Sequence, residues 1–104
     1  MPVDRMEILK SMVAQNPTDA FARYGLAMEI INSGNLEGGV EQFRTLLEHN
    51  PNYAAGYFHC GQTLEKMGKA DEARDIYKKG IDVTTKTGDA HTRSELQAAL
   101  DSLG

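Results

Sequence analysis

Apolar residues recur along this chain at helical spacing, in about six stretches separated by short polar turns. In the first stretch, about residues 4–15, they fall on one stripe at offsets of three and four, and polar side chains occupy the rest of the surface. The stripe consists of Met6, Leu9, Met12 and Val13. The pattern predicts an amphipathic helix that packs by one side.

The second stretch, about residues 20–33, differs because apolar side chains go nearly all the way round it. They are Phe21, Tyr24, Leu26, Ala27, Met28, Ile30 and Ile31. Arg23 and Glu29 are the main polar interruptions. Such a helix is either buried on most sides or offers an apolar face to another molecule.

Four more helices follow, and short turns connect them. We predict them at about residues 36–49, 52–67, 71–85 and 89–103, the last one capped by Asp89 or Thr92. Gly34 and Gly88 favour the left-handed conformation that closes a helix. Turns of a few residues imply antiparallel neighbours.

The pattern repeats at a spacing of 34 residues. Identical pairs at this spacing are Asn16-Pro17 and Asn50-Pro51, Ala20 and Ala54, and Gly34 and Gly68. Other positions keep their size class, as where Tyr24 becomes Phe58 and Phe43 becomes Tyr77. A fixed period of this length marks an array of supersecondary units, none of which can bury its apolar face alone.

Composition and charge narrow the class of protein. A chain of 104 residues is enough for one small domain. The net charge of −4 and the pI of about 5.3, without a basic run, argue against nucleic-acid binding. One cysteine cannot form an internal disulfide, and no apolar run suits a signal peptide or a membrane span. We therefore expect a soluble cytoplasmic protein without nucleic-acid or membrane partners.

Candidate catalytic and metal-binding residues are few. Cys60 follows His59, but adjacent helical residues point about 100° apart, and Cys60 aligns with the packing position Leu26. A buried small side chain is the favoured interpretation of Cys60. His49, His59 and His91 lie in three different predicted helices without metal-site spacing. The glycines do not form a phosphate loop. We therefore expect no enzyme activity, cofactor or metal.

Residues 16–84 resemble two tetratricopeptide repeats, a family of 34-residue helical hairpins. The family pattern is met by Leu26, Gly34, Leu36, Phe43 and Pro51 in the first copy and by Tyr57, Gly61, Leu64, Gly68, Ala73 and Tyr77 in the second. Arg23 stands where the family often has Trp or Tyr. The first helix aligns with the second half of a preceding repeat, with Leu9 in the place of Phe43.

The resemblance implies an all-α fold in which antiparallel hairpins stack as a short right-handed solenoid of about six helices. Residues 1–104 form a single domain in this interpretation. Its parts are an N-terminal capping helix at 1–15, repeats at 16–49 and 50–84, and a C-terminal capping helix at 88–103.

The resemblance also implies a function, because such arrays bind peptides in a concave groove lined by the first helix of each hairpin. The matching groove positions are Phe21, Tyr24, Met28, Ile31 and Asn32 in the first copy, and Ala55, Phe58, Gln62, Glu65 and Lys66 in the second. The family's terminal-carboxylate clamp is not favoured, because Tyr24 and Met28 occupy clamp positions and His59 stands where Asn is expected. We expect a non-catalytic scaffold that binds an apolar or mixed peptide or helix of a partner protein.

Two alternatives use the same apolar side chains. The first-copy residues Phe21, Tyr24, Met28 and Ile31 are covered either by the terminal helix or by a second copy of the chain, which would make the protein a self-associating structural module. An RNA-binding helical repeat is a third class, and the acidic pI and the lack of basic groove residues disfavour it.

Overall fold

The computed structural model describes residues 4–104, and six α-helices account for most of that range. The helices are α1 Arg5–Gln15, α2 Ala20–Asn32, α3 Leu36–His49, α4 Ala54–Lys66, α5 Ala70–Thr87 and α6 Ala90–Ser102. No strand occurs between residues 4 and 104, so the predicted all-α class with about six helices is confirmed. Residues 1–3, the start of the predicted capping segment 1–15, lie outside the described range.

Side-chain caps start several of the helices. The carboxylate of Asp4 accepts a hydrogen bond from the backbone N–H of Met6, and the carboxylate of Asp19 accepts one from Ala22. At α6 the cap is Asp89, whose carboxylate accepts from the N–H of Thr92 at 3.1 Å. Each bond satisfies a backbone donor that the first turn of a helix leaves unpaired.

Glycines in the left-handed conformation turn the chain after α2, α4 and α5. Gly34, Gly68 and Gly88 have φ values of 97°, 77° and 79°, as predicted for Gly34 and Gly88. Two helix boundaries differ from the prediction. Helix α4 begins at Ala54 rather than near residue 52, and α5 continues to Thr87 rather than ending near residue 85. Gly88, the first left-handed residue after α5, is where that helix stops.

Each helix packs against the next one along the chain, and α6 also packs against α4. Backbones approach closely where a side chain is missing. A methyl group built at Gly39 would overlap Ile31, and one built at Gly61 would overlap the Tyr77 ring. Gly39 and Gly61 therefore allow the two helices of each hairpin to approach closely. The core of buried residues consists of Ala27, Val40, Phe43, Tyr57, Cys60, Leu64, Ala73, Ile76, Tyr77 and Leu96.

The two terminal helices are packed to different extents. Helix α6 buries Leu96 completely, whereas no residue of α1 is buried. Ile8 and Met12 of α1 are among the exposed large apolar residues. Among residues 4–104, no helix has both the length and the apolar content needed to cross a membrane.

Candidate partner-binding surface

Helices α2 and α4 are the first helices of the two hairpins, and they carry the predicted binding residues. Tyr24 and Phe58 hold equivalent positions 34 residues apart. His59 joins them, because its ring centroid lies 5.6 Å from that of Tyr24 and 5.4 Å from that of Phe58, both in edge-on geometry. The ring centroid of Tyr53 also lies 5.6 Å from that of Tyr24. The two hairpins therefore meet through a cluster of aromatic rings.

One cleft lies between α1 and α2 and has a volume of about 360 Å³. Four predicted residues line it, namely Phe21, Tyr24, Met28 and Asn32. Helix α1 contributes Arg5, Leu9 and Met12. Phe21 is 76% exposed, more than the other exposed large apolar side chains of residues 4–104. This cleft is apolar along most of its length, with polar groups gathered where α1 begins and α2 ends.

A second cleft, of about 450 Å³, lies between α4 and α6. The predicted residues Phe58, Gln62 and Glu65 line it. Helix α6 contributes Glu95, Ala98, Ala99 and Ser102. Two carboxylates and one aromatic ring make this cleft more polar and more acidic than the cleft at α1.

The structure places three of the residues named from the repeat pattern elsewhere. Ile31 packs over Gly39 of α3 and so belongs to the contact within the first hairpin. Ala55 and Lys66 line neither of the two clefts. The predicted residues thus form two groups, one at each cleft, with the aromatic cluster between them.

Burial and hydrogen bonds set the electrostatics of this surface. Desolvation lowers the pKa of His59, although the nearby Glu95 carboxylate opposes the shift. Burial, and then the neighbouring Tyr53, raise the pKa of Tyr24. Glu65 is not a free carboxylate, because the Tyr77 hydroxyl donates a hydrogen bond to it. At pH 7 the surface therefore presents neutral aromatic rings beside carboxylates.

Arg23 departs from the family pattern, and the structure shows what replaces the usual aromatic residue. Its guanidinium donates to the backbone oxygen of Pro17 at 3.0 Å and to the side chain of Gln42 at 2.7 Å. In the second copy the hydroxyl of Tyr57 donates to the backbone oxygen of Pro51 at 2.7 Å. Arg23 and Tyr57 therefore make equivalent hydrogen bonds, each to the backbone of the turn that precedes its helix.

Cys60 is a buried side chain, as predicted. Cys60 is fully buried, and burial raises the pKa of its thiol to about 11. A protonated thiol without access to solvent is a poor nucleophile. Within residues 4–104, His, Cys, Asp and Glu side chains form no group of three or more that could hold a metal ion.

His59 and Tyr53 are the members of this surface that sequence reasoning missed. In the sequence His59 stands out only as a neighbour of Cys60 and as a mismatch to the family's clamp. Its contact with Tyr24 depends on the distance between α2 and α4, which no local pattern in the sequence indicates. Tyr53 lies in the turn before α4, and no helical periodicity applies to a turn residue.

The alternative that the terminal helix covers the first hairpin finds no support in the packing. Helix α6 lies against α4 and α5, and it lines the cleft around Phe58. Of the residues that the structure describes, those of α1 and α2 line the cleft around Phe21.

Comparisons with known proteins place the chain among helical repeats. No protein-family model matches it. The crystal structure of a tetratricopeptide repeat domain protein from Salinibacter ruber is similar, with 35% identity, 82% of this chain and 94% of that chain covered, and a TM-score of 0.76. A curated TPR repeat-containing protein of Pseudomonas aeruginosa is 26% identical over 98 residues, which cover 94% of this chain and 93% of that protein.

The fold also matches that of PcrH, solved in complex with the chaperone binding region of PopD. The TM-score is 0.87, and 94% of this chain and 74% of PcrH are covered. The sequences are 15% identical, so this likeness concerns the arrangement of the helices alone.

Proposed function

This chain belongs to the tetratricopeptide repeat family, and from that membership we propose that it is a non-catalytic scaffold that binds a peptide or helix of a partner protein. The binding surface consists of α2 and α4, with Tyr24 and Phe58 at its centre. It includes Phe21, Met28, Asn32, Gln62 and Glu65. Ile31, also predicted as a binding residue, contributes indirectly by fixing α2 on α3.

The observation that carries this proposal is the open apolar face of the first hairpin. Phe21 is 76% exposed beside the half-buried Tyr24 and Met28. Large exposed apolar patches are uncommon on monomers and usually mark contact sites. The complex of PcrH with the chaperone binding region of PopD supports protein binding as a use of this arrangement of helices.

The surface favours a ligand of mixed character. Aromatic and methionine side chains around Phe21 and Met28 suit an apolar residue, because they supply a large and adaptable contact area. Glu95 and Glu65 at the second cleft suit polar or cationic side chains. We further propose that the protein is cytoplasmic and has no nucleic-acid or membrane partner. The acidic pI and the interspersed charges argue against binding to nucleic acid.

Charge substitution on the surface tests the proposal. Immobilised wild type, Tyr24→Glu and Phe58→Glu would be used to capture proteins from a lysate of the source organism, followed by mass spectrometry. Thr85→Glu is the matched control, because Thr85 is exposed on α5 and lines neither cleft. We expect one set of proteins that wild type and Thr85→Glu retain and that both other variants lose. Retention by all four, with unchanged helical circular dichroism, would show that the surface is misassigned.

Self-association through the apolar face of the first hairpin is the second candidate, since a second copy could cover the exposed Phe21. Light scattering across micromolar concentrations tests it directly. A dimer that Tyr24→Glu dissociates would favour self-association over partner binding, and a monomer in both proteins would exclude it at these concentrations.

A further inference from the structure

Within residues 4–104, helix α1 lacks a neighbour that the equivalent helix α3 has. The 34-residue period aligns Leu9 with Phe43 and Met12 with Leu46. Phe43 and Leu46 are fully buried, since α3 has α2 on one side and α4 on the other. Helix α1 packs substantially only against α2, and Met12 remains 41% exposed. The apolar stripe of α1 is therefore half covered.

Helix α2, which forms the other wall of the cleft between α1 and α2, also has an apolar surface that no neighbouring helix of the described chain covers. His59 of α4 reaches back to the Tyr24 ring on the preceding first helix. Its equivalent in α2 is Gly25, which lines the cleft beside Leu9. The surface of α2 that faces the cleft thus corresponds to the surface of α4 that meets α2. The cleft between α1 and α2 is therefore equivalent to the position next to α3 and α4 that α2 fills.

We propose that the cleft between α1 and α2 receives an amphipathic helix of a partner protein, held against α1 as α2 is held against α3. This inference rests on the proposed function and sharpens it, because it specifies a helix rather than an extended peptide. It also assigns α1, which the family resemblance treats as a cap, to the binding site through Leu9 and Met12.

The chain itself shows what chemistry the incoming helix needs. Helix α2 lies on α3 with Tyr24 against Phe43, and with Ile31 and the Ala27 carbonyl oxygen close to Gly39. The incoming helix therefore needs apolar residues at offsets of three, four and seven, with a small residue in the middle. Leu9 is smaller than Phe43, which contacts Tyr24, so the first apolar position of the incoming helix accepts a larger side chain.

The charge of Arg5 favours one direction of the incoming helix, although the side chain is 80% exposed. Arg5 stands where α3 has Gly39, and its guanidinium pairs with Glu29 at 3.1 Å. A helix antiparallel to α1 places its C-terminal carbonyls beside Arg5. A cation stabilises that end of a helix. The bulk of Arg5 also means that the end of the incoming helix cannot approach α1 as closely as α2 approaches α3.

A peptide of residues 19–33 of this chain, labelled with fluorescein at its N-terminus, is a suitable probe because it carries the helix that fills the equivalent position on α3. Fluorescence anisotropy would measure its affinity for wild type, Met12→Glu and the control Thr85→Glu. We expect saturable binding to wild type, at least about tenfold weaker binding to Met12→Glu, and less than about twofold change in Thr85→Glu. The Ala27→Glu version of the peptide should not bind.

Three results would overturn the inference. The first is no saturable binding of the peptide to wild type. The second is binding that Met12→Glu weakens no more than Thr85→Glu does, which would keep the proposed function and reject the cleft at α1. The third is a wild-type dimer that Met12→Glu dissociates, because a second copy would then occupy the cleft. Thermal melting of Met12→Glu provides the folding control, and the partial exposure of Met12 predicts a folded variant.

Discussion

Helices α2 and α4 hold equivalent positions in the two repeats, yet the more apolar one is the less buried. Helix α2 buries Ala22, Leu26 and Ala27, and α4 buries Gly56, Tyr57, Cys60, Gly61, Thr63 and Leu64. The number of neighbours explains the difference, because α4 packs against α3, α5 and α6, and α2 packs mainly against α1 and α3. Apolar surface beyond what the fold buries is then available for binding.

The ends of the molecule differ in the same way. Leu96 of α6 is fully buried and touches the helix next to it, where a methyl group at Gly80 would lie 2.9 Å from the Leu96 side chain. Met12 of α1 is 41% exposed. The C-terminal helix completes the core, and the N-terminal helix leaves one side of the first hairpin open.

The largest expected effect is on the free energy of unfolding, and it differs between substitutions at the two ends. Leu96→Ala should lower the free energy of unfolding by about 2 to 5 kcal/mol, because it removes a fully buried side chain and leaves a cavity. Met12→Ala should cost about 1 kcal/mol or less, because much of that side chain already meets water. Urea denaturation at 25 °C measures both. Equal losses would mean that α1 is packed as tightly as α6.

Most of the fold could be predicted from the sequence because helical periodicity and turn glycines are local signals. The two shifted boundaries have local causes as well. Asn50-Pro51 is followed by a turn that delays the start of α4 until Ala54. Helix α5 continues past residue 85, and within it Thr84 and Thr85 donate hydrogen bonds to the carbonyls of Gly80 and Ile81.

The binding surface was less predictable, because a repeat period assigns equivalent positions and not equivalent neighbours. Ile31 and Glu65 are equivalent, yet Ile31 packs on Gly39 and Glu65 lines a cleft while accepting a bond from Tyr77. The aromatic cluster around His59 depends on the distance between α2 and α4. That distance is a tertiary property without a signature in the spacing of residues.

A smaller effect is expected from the turns that Arg23 and Tyr57 hold. Tyr57→Phe removes the hydrogen bond to Pro51 and should cost about 1 kcal/mol. Arg23→Met removes bonds to Pro17 and Gln42 and should cost about 1 to 2 kcal/mol, because the donor is charged and partly exposed.

Urea denaturation of the two single variants and of the double variant measures these costs. The double variant should show their sum within about 0.5 kcal/mol, because the sites are separate. Arg23→Tyr, which restores a residue type common in the family, should recover part of the loss seen in Arg23→Met. Losses near zero in both single variants would show that solvent replaces these bonds and that the shared turn contact is not stabilising.

The smallest expected effect concerns pH and again distinguishes the two hairpins, because His59 is equivalent to Gly25, which cannot titrate. Burial lowers the pKa of His59 below its ordinary value of about 6.5 in the folded protein, against the opposing field of Glu95 and with a smaller contribution from Lys66. The unfolded chain therefore binds a proton more readily than the folded one. The stability that neutral His59 provides is present above pH 6.5 and is lost as the pH falls through the lower folded value.

Thermal melts at intervals between pH 7.5 and 5.5 should show the wild type losing stability relative to His59→Gln. The difference should stay below the roughly 1 kcal/mol of a hydrogen bond, because His59 is only partly buried. Subtracting the His59→Gln curve removes the pH dependence that the two proteins share. Parallel curves would mean that the His59 ring between Tyr24 and Phe58 is as well solvated as a histidine in the unfolded chain, and the two hairpins would then meet through a looser contact than the ring distances indicate.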